Sequence, residues 1–117
     1  MPNYCADLDR VFACLGNPTR RQVIERLVTG PASVKELAEP FPMALPSFLQ
    51  HLEVLEGAGW ITSSKEGRVR TYSLNPPAFF IADNWLDKQR KTWESRLNQL
   101  DQLLDEIHDH ENNRPQS

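Results

Sequence analysis

From Asn75-Pro76-Pro77 the chain runs to about His110 without another proline or glycine. Along it Leu86, Trp93, Leu97, Leu100, Leu104 and Ile107 recur at intervals of seven, four, three, four and three. This is the heptad seam of a coiled coil, widened by Leu103 and Trp85, with charged residues and Gln on the other sides. In a chain of 117 residues no other feature constrains the fold so strongly. Fully burying one large apolar side chain contributes about 1.5–3 kcal/mol, so six of them left in water is costly. The simplest cover is the same helix from a second copy, which gives a two-fold dimer with those six residues as its interface. Near the start of the stretch, Phe79, Phe80 and Trp85 are expected to pack on the chain's own domain instead.

The first half is cut into short helices by its prolines and glycines. Leu8, Val11, Phe12 and Leu15 form one apolar side. Asn17-Pro18 is a cap and first-turn pair that opens a second helix carrying Val23, Ile24, Leu27 and Val28, and Gly30-Pro31 ends it. Ser33-Val34-Lys35-Glu36 is a capping box, so a third helix starts there, with Val34, Leu37 and Ala38 on one face. Pro40 and Pro42 stop it. A fourth helix begins around Met43-Ala44-Leu45-Pro46. Its Leu45, Phe48, Leu52 and Leu55 are spaced three, four and three, opposite Ser47, Gln50 and Glu53, and it closes at Gly57-Ala58-Gly59. Two strands, Trp60 to Lys65 and Arg68 to Leu74, follow with a turn at Glu66-Gly67. Lys65, Arg68 and Arg70 gather near that turn, with Glu66 the local acid. The pattern is mostly α with a small β-hairpin wing: a winged helix-turn-helix, homodimeric through its terminal helices. It offers one helix to a DNA groove and a charged arm to flanking phosphates.

Residues 9 to 74 resemble the ArsR family of bacterial winged-helix repressors. Three passages carry the likeness, in order and at matching spacing: Leu15-Gly16-Asn17-Pro18-Thr19-Arg20-Arg21-Gln22-Val23-Ile24, Pro46 through Gly59, and Gly67-Arg68-Val69-Arg70-Thr71-Tyr72-Ser73-Leu74. The resemblance implies a small homodimer that binds a double-stranded operator and represses transcription. It also implies that many relatives release DNA when a signal binds, and an unknown small-molecule effector stays open as a partner. Many relatives have Ser and then Arg where this chain has Leu49 and Gln50. The reading helix, Met43 to Gly57, contains no Lys or Arg but does contain Glu53 and Glu56. Phosphate anchoring is therefore assigned to Lys35, Lys65, Arg68 and Arg70, with Arg20 and Arg21 as further candidates. Base reading falls to Ser47 and Gln50, with Ala44 and Leu45 placed to touch thymine methyls. His51 is weighed equally as a structural residue and a phosphate contact.

Metal-sensing relatives often carry Cys-x-Cys in the first helix of the motif; here Ser33 to Ala38 has no Cys. Others use Asp, His, His and Glu on the last helix, where this chain has only His108, His110 and Glu111. No metal site and no cofactor are expected. No catalytic arrangement, phosphate-cradling Gly run or nucleophile elbow is present in the sequence, so it does not read as an enzyme.

The formal charge of −3 looks unsuited to a DNA binder until it is divided. Residues 1 to 74 hold eight basic and eight acidic side chains, whereas 75 to 117 hold five and eight, so the acidity lies in the dimerisation segment. Cys5 and Cys14 fit a reducing compartment. On one helix they lie roughly 13 Å apart, too far for an intrachain bridge. No apolar run reaches the ~20 residues of a membrane span. The expectation is a cytoplasmic protein with a single winged-helix and dimerisation domain over 1–111, its long helix spanning 75–111, and a disordered tail over 112–117. Two other classes compete: a winged-helix interaction module that does not bind DNA, and a detached dimerisation domain of an enzyme.

Overall fold

The computed structural model describes residues 4–112, and the side chains of 7–111. The tail and Cys5 side chain considered above therefore fall outside it, apart from the backbone of Asn112. The elements run α1 (Tyr4–Cys14), α2 (Pro18–Val28), β1 (Ala32–Ser33), α3 (Val34–Ala38), α4 (Leu45–Gly57), β2 (Ile61–Glu66), β3 (Val69–Leu74) and α5 (Pro76–Asn112). One compact unit extends to Asp83 and a second begins at Asn84.

Local signals set most boundaries. The Asn17 side chain accepts the Arg20 amide at 3.2 Å, and Pro18 occupies the first turn of α2. Ser33 and Glu36 close a reciprocal capping box over α3: the Ser33 hydroxyl accepts the Glu36 amide at 3.2 Å, and a Glu36 carboxylate oxygen accepts the Ser33 amide at 3.3 Å. α4 ends where Gly59 takes φ +86° and the Trp60 amide reaches back to the Leu55 carbonyl at 3.0 Å. This six-to-one bond is that of a Schellman motif.

The first unit has one core. Val11 and Cys14 from α1, Val23, Ile24 and Leu27 from α2, Leu37 from α3 and Phe48, Leu52 and Leu55 from α4 are buried around Trp60, Ile61 and Tyr72 of the sheet. Ala78 and Ala82 add the first turns of α5, helped by partly buried Ile81. Trp60 is the junction. Its indole N–H donates to the Val11 carbonyl at 2.8 Å, and its ring meets Phe79 edge-on at 4.8 Å. No buried polar side chain is present among the described residues.

Several expectations change. The hairpin is part of a three-stranded antiparallel sheet in the order β1-β3-β2, because Ala32 and Ser33 pair with Tyr72 and Thr71. The turn lies one residue later than expected, at Gly67-Arg68, since Glu66 pairs with Val69. Gly67 has φ +61° and no other residue type has positive φ among those described, the signature of a type II′ turn with Gly first. Arg68 therefore sits in the turn rather than on a strand. Leu45 shares the α4 spacing but is 52% exposed, so it is not a core residue. Val28 is likewise exposed at the end of α2, and Phe80 is exposed while its neighbours Ala78 and Ala82 are buried. Helix periodicity places a residue on a face, but a helix end projects past the core that the face covers.

Phe48 and Leu45 make the contrast measurable. Phe48→Ala should cost about 3–5 kcal/mol in denaturant unfolding, whereas Leu45→Ala should stay within about 0.5 kcal/mol.

Candidate nucleic-acid interface

α4 buries one side through Phe48, Leu52 and Leu55, which leaves Ala44, Leu45, Ser47 and Gln50 exposed at its N-terminal end. Ala44 caps the helix with extended backbone but gives no side-chain hydrogen bond to the first-turn amides. Those amides carry the positive end of the helix dipole.

An open groove of about 790 Å³ runs beside this end of α4. Leu45 lines it together with Ser33, Lys35 and Glu39 from the α3 region and Arg68, Val69 and Arg70 from the wing. Three of the sequence-assigned cations thus share one concavity with a reading-helix residue. Lys65 does not line the groove; it pairs across the ladder with Arg70. Like charges directly opposite each other destabilise a sheet, and a nearby anion relieves them.

Arg70 also has a partner inside the fold. Its Nη1 donates to the Ser63 hydroxyl at 2.9 Å, and that hydroxyl donates to Glu56 Oε1 at 2.5 Å. Glu56 stands at the last turn of α4, so the two bonds join α4 to both wing strands. Its charge reaches Tyr72: burial pushes the Tyr72 phenol up from its ordinary 10.0, Glu56 adds to the rise, and Arg70 opposes it. Sequence gives no sign of this chain, because its members lie on three separate elements.

Arg20 and Arg21 are occupied elsewhere. Arg20 Nε donates to the Cys14 carbonyl at 3.0 Å and its Nη2 to the Ala13 carbonyl at 3.1 Å, while Arg21 Nη1 donates to the Leu15 carbonyl at 2.5 Å. Both guanidinium groups satisfy carbonyls at and just beyond the end of α1, acceptors that a helix leaves without partners. Arg20 Nη1 also lies 3.4 Å from His51 Nδ1. Arginine only donates, so in this contact His51 Nδ1 can serve only as acceptor. This contact gives the half-buried His51 a structural partner.

Cys14 is buried, and its thiol points to the Val54 carbonyl at 3.7 Å. Burial raises the thiol above its ordinary 9.0, with Arg20's charge pulling the other way. Among the described residues no group of three or more His, Cys, Asp or Glu is placed to hold a metal ion. His108, His110 and Glu111 lie within α5, and residues two apart on a helix face different sides. Among the described residues no helix is long and apolar enough to cross a membrane.

The unit beginning at Asn84 is helical to Asn112. Leu86, Trp93, Leu97, Leu100, Leu104 and Ile107 are 40–61% exposed along it.

This is a winged helix-turn-helix, and comparison with known proteins agrees. A family described as "Helix-turn-helix domain" matches residues 15–63. The chain is 36% identical over 97 residues to the HTH-type transcriptional regulator Rv2034 of Mycobacterium tuberculosis, covering 83% of this chain and 88% of that protein. It is 32% identical over 79 residues to the transcriptional repressor SdpR of Bacillus subtilis, covering 68% and 88%. Among solved structures, an ArsR family transcriptional regulator designated RHA00566 superposes with a TM-score of 0.76 at 48% identity, over 81% of this chain and 98% of that one. The chain belongs to the ArsR family of winged helix-turn-helix transcriptional regulators. These are DNA-binding regulators and not enzymes, which sets aside the enzyme-derived alternative.

The raised Cys14 thiol has a chemical consequence. In the folded protein at pH 8, Cys14 should resist iodoacetamide and react only after denaturation, as read by mass spectrometry of its peptide. Because the folded thiol titrates above the unfolded one, its contribution to stability is intact below the ordinary value of 9.0. That contribution is lost as pH rises from there through the folded value.

Proposed function

We propose that the protein is a metal-independent, homodimeric repressor that binds an inverted-repeat operator. The observation that carries this reading is the groove in which Lys35, Arg68 and Arg70 surround the exposed Leu45 at the start of α4. In it, α4 enters the major groove, and Ala44, Leu45, Ser47 and Gln50 meet base edges. Lys35, Lys65, Arg68 and Arg70 contact phosphates, which fixes register without reading sequence. His51 has a structural role through Arg20, which leaves Nε2 as the atom for a phosphate contact.

The base-reading end of α4 selects A·T pairs. Arg and Lys make the commonest specific contact to guanine, and α4 has neither. The neighbouring Arg20 and Arg21 are held by main-chain carbonyls. What remains is a Gln side chain with the geometry for adenine N6 and N7, and exposed Ala44 and Leu45 suited to thymine methyls.

Dimerisation follows from the exposed seam. Six large apolar residues recurring on one helix of 37 residues, roughly 55 Å long, match a second copy of the same helix. A two-fold pair then sets two reading helices about 34 Å apart, the spacing of successive major grooves on one face of DNA. Metal independence is supported by the lack of Cys in α3 and of any ligand cluster among the described residues.

Two experiments test these claims. Leu97→Asp combined with Leu100→Asp should give monomers in analytical sedimentation and much weaker operator binding; a retained dimer refutes the seam. Separately, the wild type should enrich an A·T-rich inverted repeat from a random duplex pool, with affinity falling steeply as salt rises. Arg68→Ala or Lys65→Ala should lower the salt slope by about 1 each. Gln50→Ala should relax discrimination at one base by about 1–3 kcal/mol. If no duplex is bound at about 50 mM salt, where phosphate contacts are strong, DNA recognition is refuted.

A further inference from the structure

We propose that Glu56 is the positioning residue of the wing: through Ser63 and Arg70 it fixes the angle at which the wing cations meet the DNA backbone relative to the base-reading end of α4. This rests on the DNA-binding reading above.

An acidic residue on the reading helix works against a polyanion. Glu56 is exposed and, as a bare charge, repels phosphate. Its place is explained by what it holds. Glu56 Oε1 accepts the Ser63 hydroxyl at 2.5 Å, and the Ser63 oxygen accepts Arg70 Nη1 at 2.9 Å. The bonds run in sequence from α4 to β2 to β3. They meet the wing where it needs a tether. β1 pairs with β3 only at Thr71 and Tyr72, so from Lys65 and Arg70 outward the wing is a two-stranded ribbon. Such a ribbon is marginal alone. At its base Lys65 opposes Arg70, and their repulsion favours splaying. Glu56 supplies the acceptor end of the tether and a compensating negative charge.

Exposed polar bonds of this kind add little to global stability. What they set is direction. A ribbon free to swing presents Lys65 and Arg68 over a range of positions. A tethered one presents them at a fixed distance from Gln50, so base and phosphate contacts form together.

Charge and tether predict opposite signs, which makes the role separable. The probe is the duplex that the wild type enriches from a random pool, with a scrambled duplex as the non-specific control. Glu56→Ala removes both the charge and the acceptor. If Glu56 acts only as a charge, this variant binds more tightly than wild type. If it positions the wing, it binds the selected duplex about three- to tenfold more weakly, the scale of one or two modest hydrogen bonds. Binding to the scrambled duplex should be unchanged or stronger. Glu56→Gln removes the charge but keeps an oxygen acceptor for Ser63, so it should bind at least as tightly as wild type. Ser63→Ala leaves every charge in place and should reproduce the loss seen with Glu56→Ala. Thermal melts of all three close to wild type exclude unfolding as the cause. Glu56→Ala at or above wild-type affinity overturns the proposal, as does Glu56→Gln falling as far as Glu56→Ala. Failure of the wild type itself to bind any duplex refutes the underlying DNA reading instead, and the two failures are distinct.

Discussion

Trp60 holds the DNA-binding unit together. Its ring is buried, and its indole N–H reaches the Val11 carbonyl on α1. Its own amide closes α4 through Leu55, and its carbonyl accepts the Asn75 amide at 2.9 Å just before α5. Phe79 meets the ring from the first turn of α5. One residue thereby joins the end of α4, the start of the wing, the first helix and the entry to the last. Each contact is modest, but together they set the frame in which α4 and the wing face the same groove.

Outside that frame the polar contacts divide the arginines by task. Arg20 and Arg21 close the end of α1, and Arg26 bonds to Thr29 and the Gly30 carbonyl at the end of α2. Arg68 and Arg70 lie on the wing beside the groove. A chain with balanced charge over its first 74 residues can still present a mainly basic concavity, because Lys35, Arg68 and Arg70 line it with Glu39 as its acid, and the other acids lie elsewhere. The distribution of charge, not its total, decides the electrostatic face.

What was legible in the sequence follows the range of the interactions. Asn17 with Pro18 and Ser33 with Glu36 act within four residues, and the helices begin where those signals stand. The uninterrupted run after Asn75 gave α5 its full extent. Features set by distant partners were not legible. β1 is two residues long and exists only because Tyr72 and Thr71 lie beside it, 38 to 40 positions away. Leu45 and Val28 fit helical stripes, yet their burial depended on where the core ends. Both Glu66-Gly67 and Gly67-Arg68 place a glycine at the bend, and only the strand register, with Glu66 opposite Val69, decides between them. For the interface, Ala44, Leu45, Ser47 and Gln50 are exposed at the start of α4, Ser47 and Gln50 as their place opposite the apolar stripe implies. The capping roles of Arg20 and Arg21, and the bonds of Glu56 and Ser63, required knowing which helix end lies beside which side chain.

The facing cations on the wing also make its strand pairing respond to ionic strength. Added electrolyte screens Lys65 from Arg70 and so eases their repulsion across the ladder. A dilute medium does the reverse, and leaves more of that repulsion to be offset by the Glu56 carboxylate, which Arg70 reaches through Ser63.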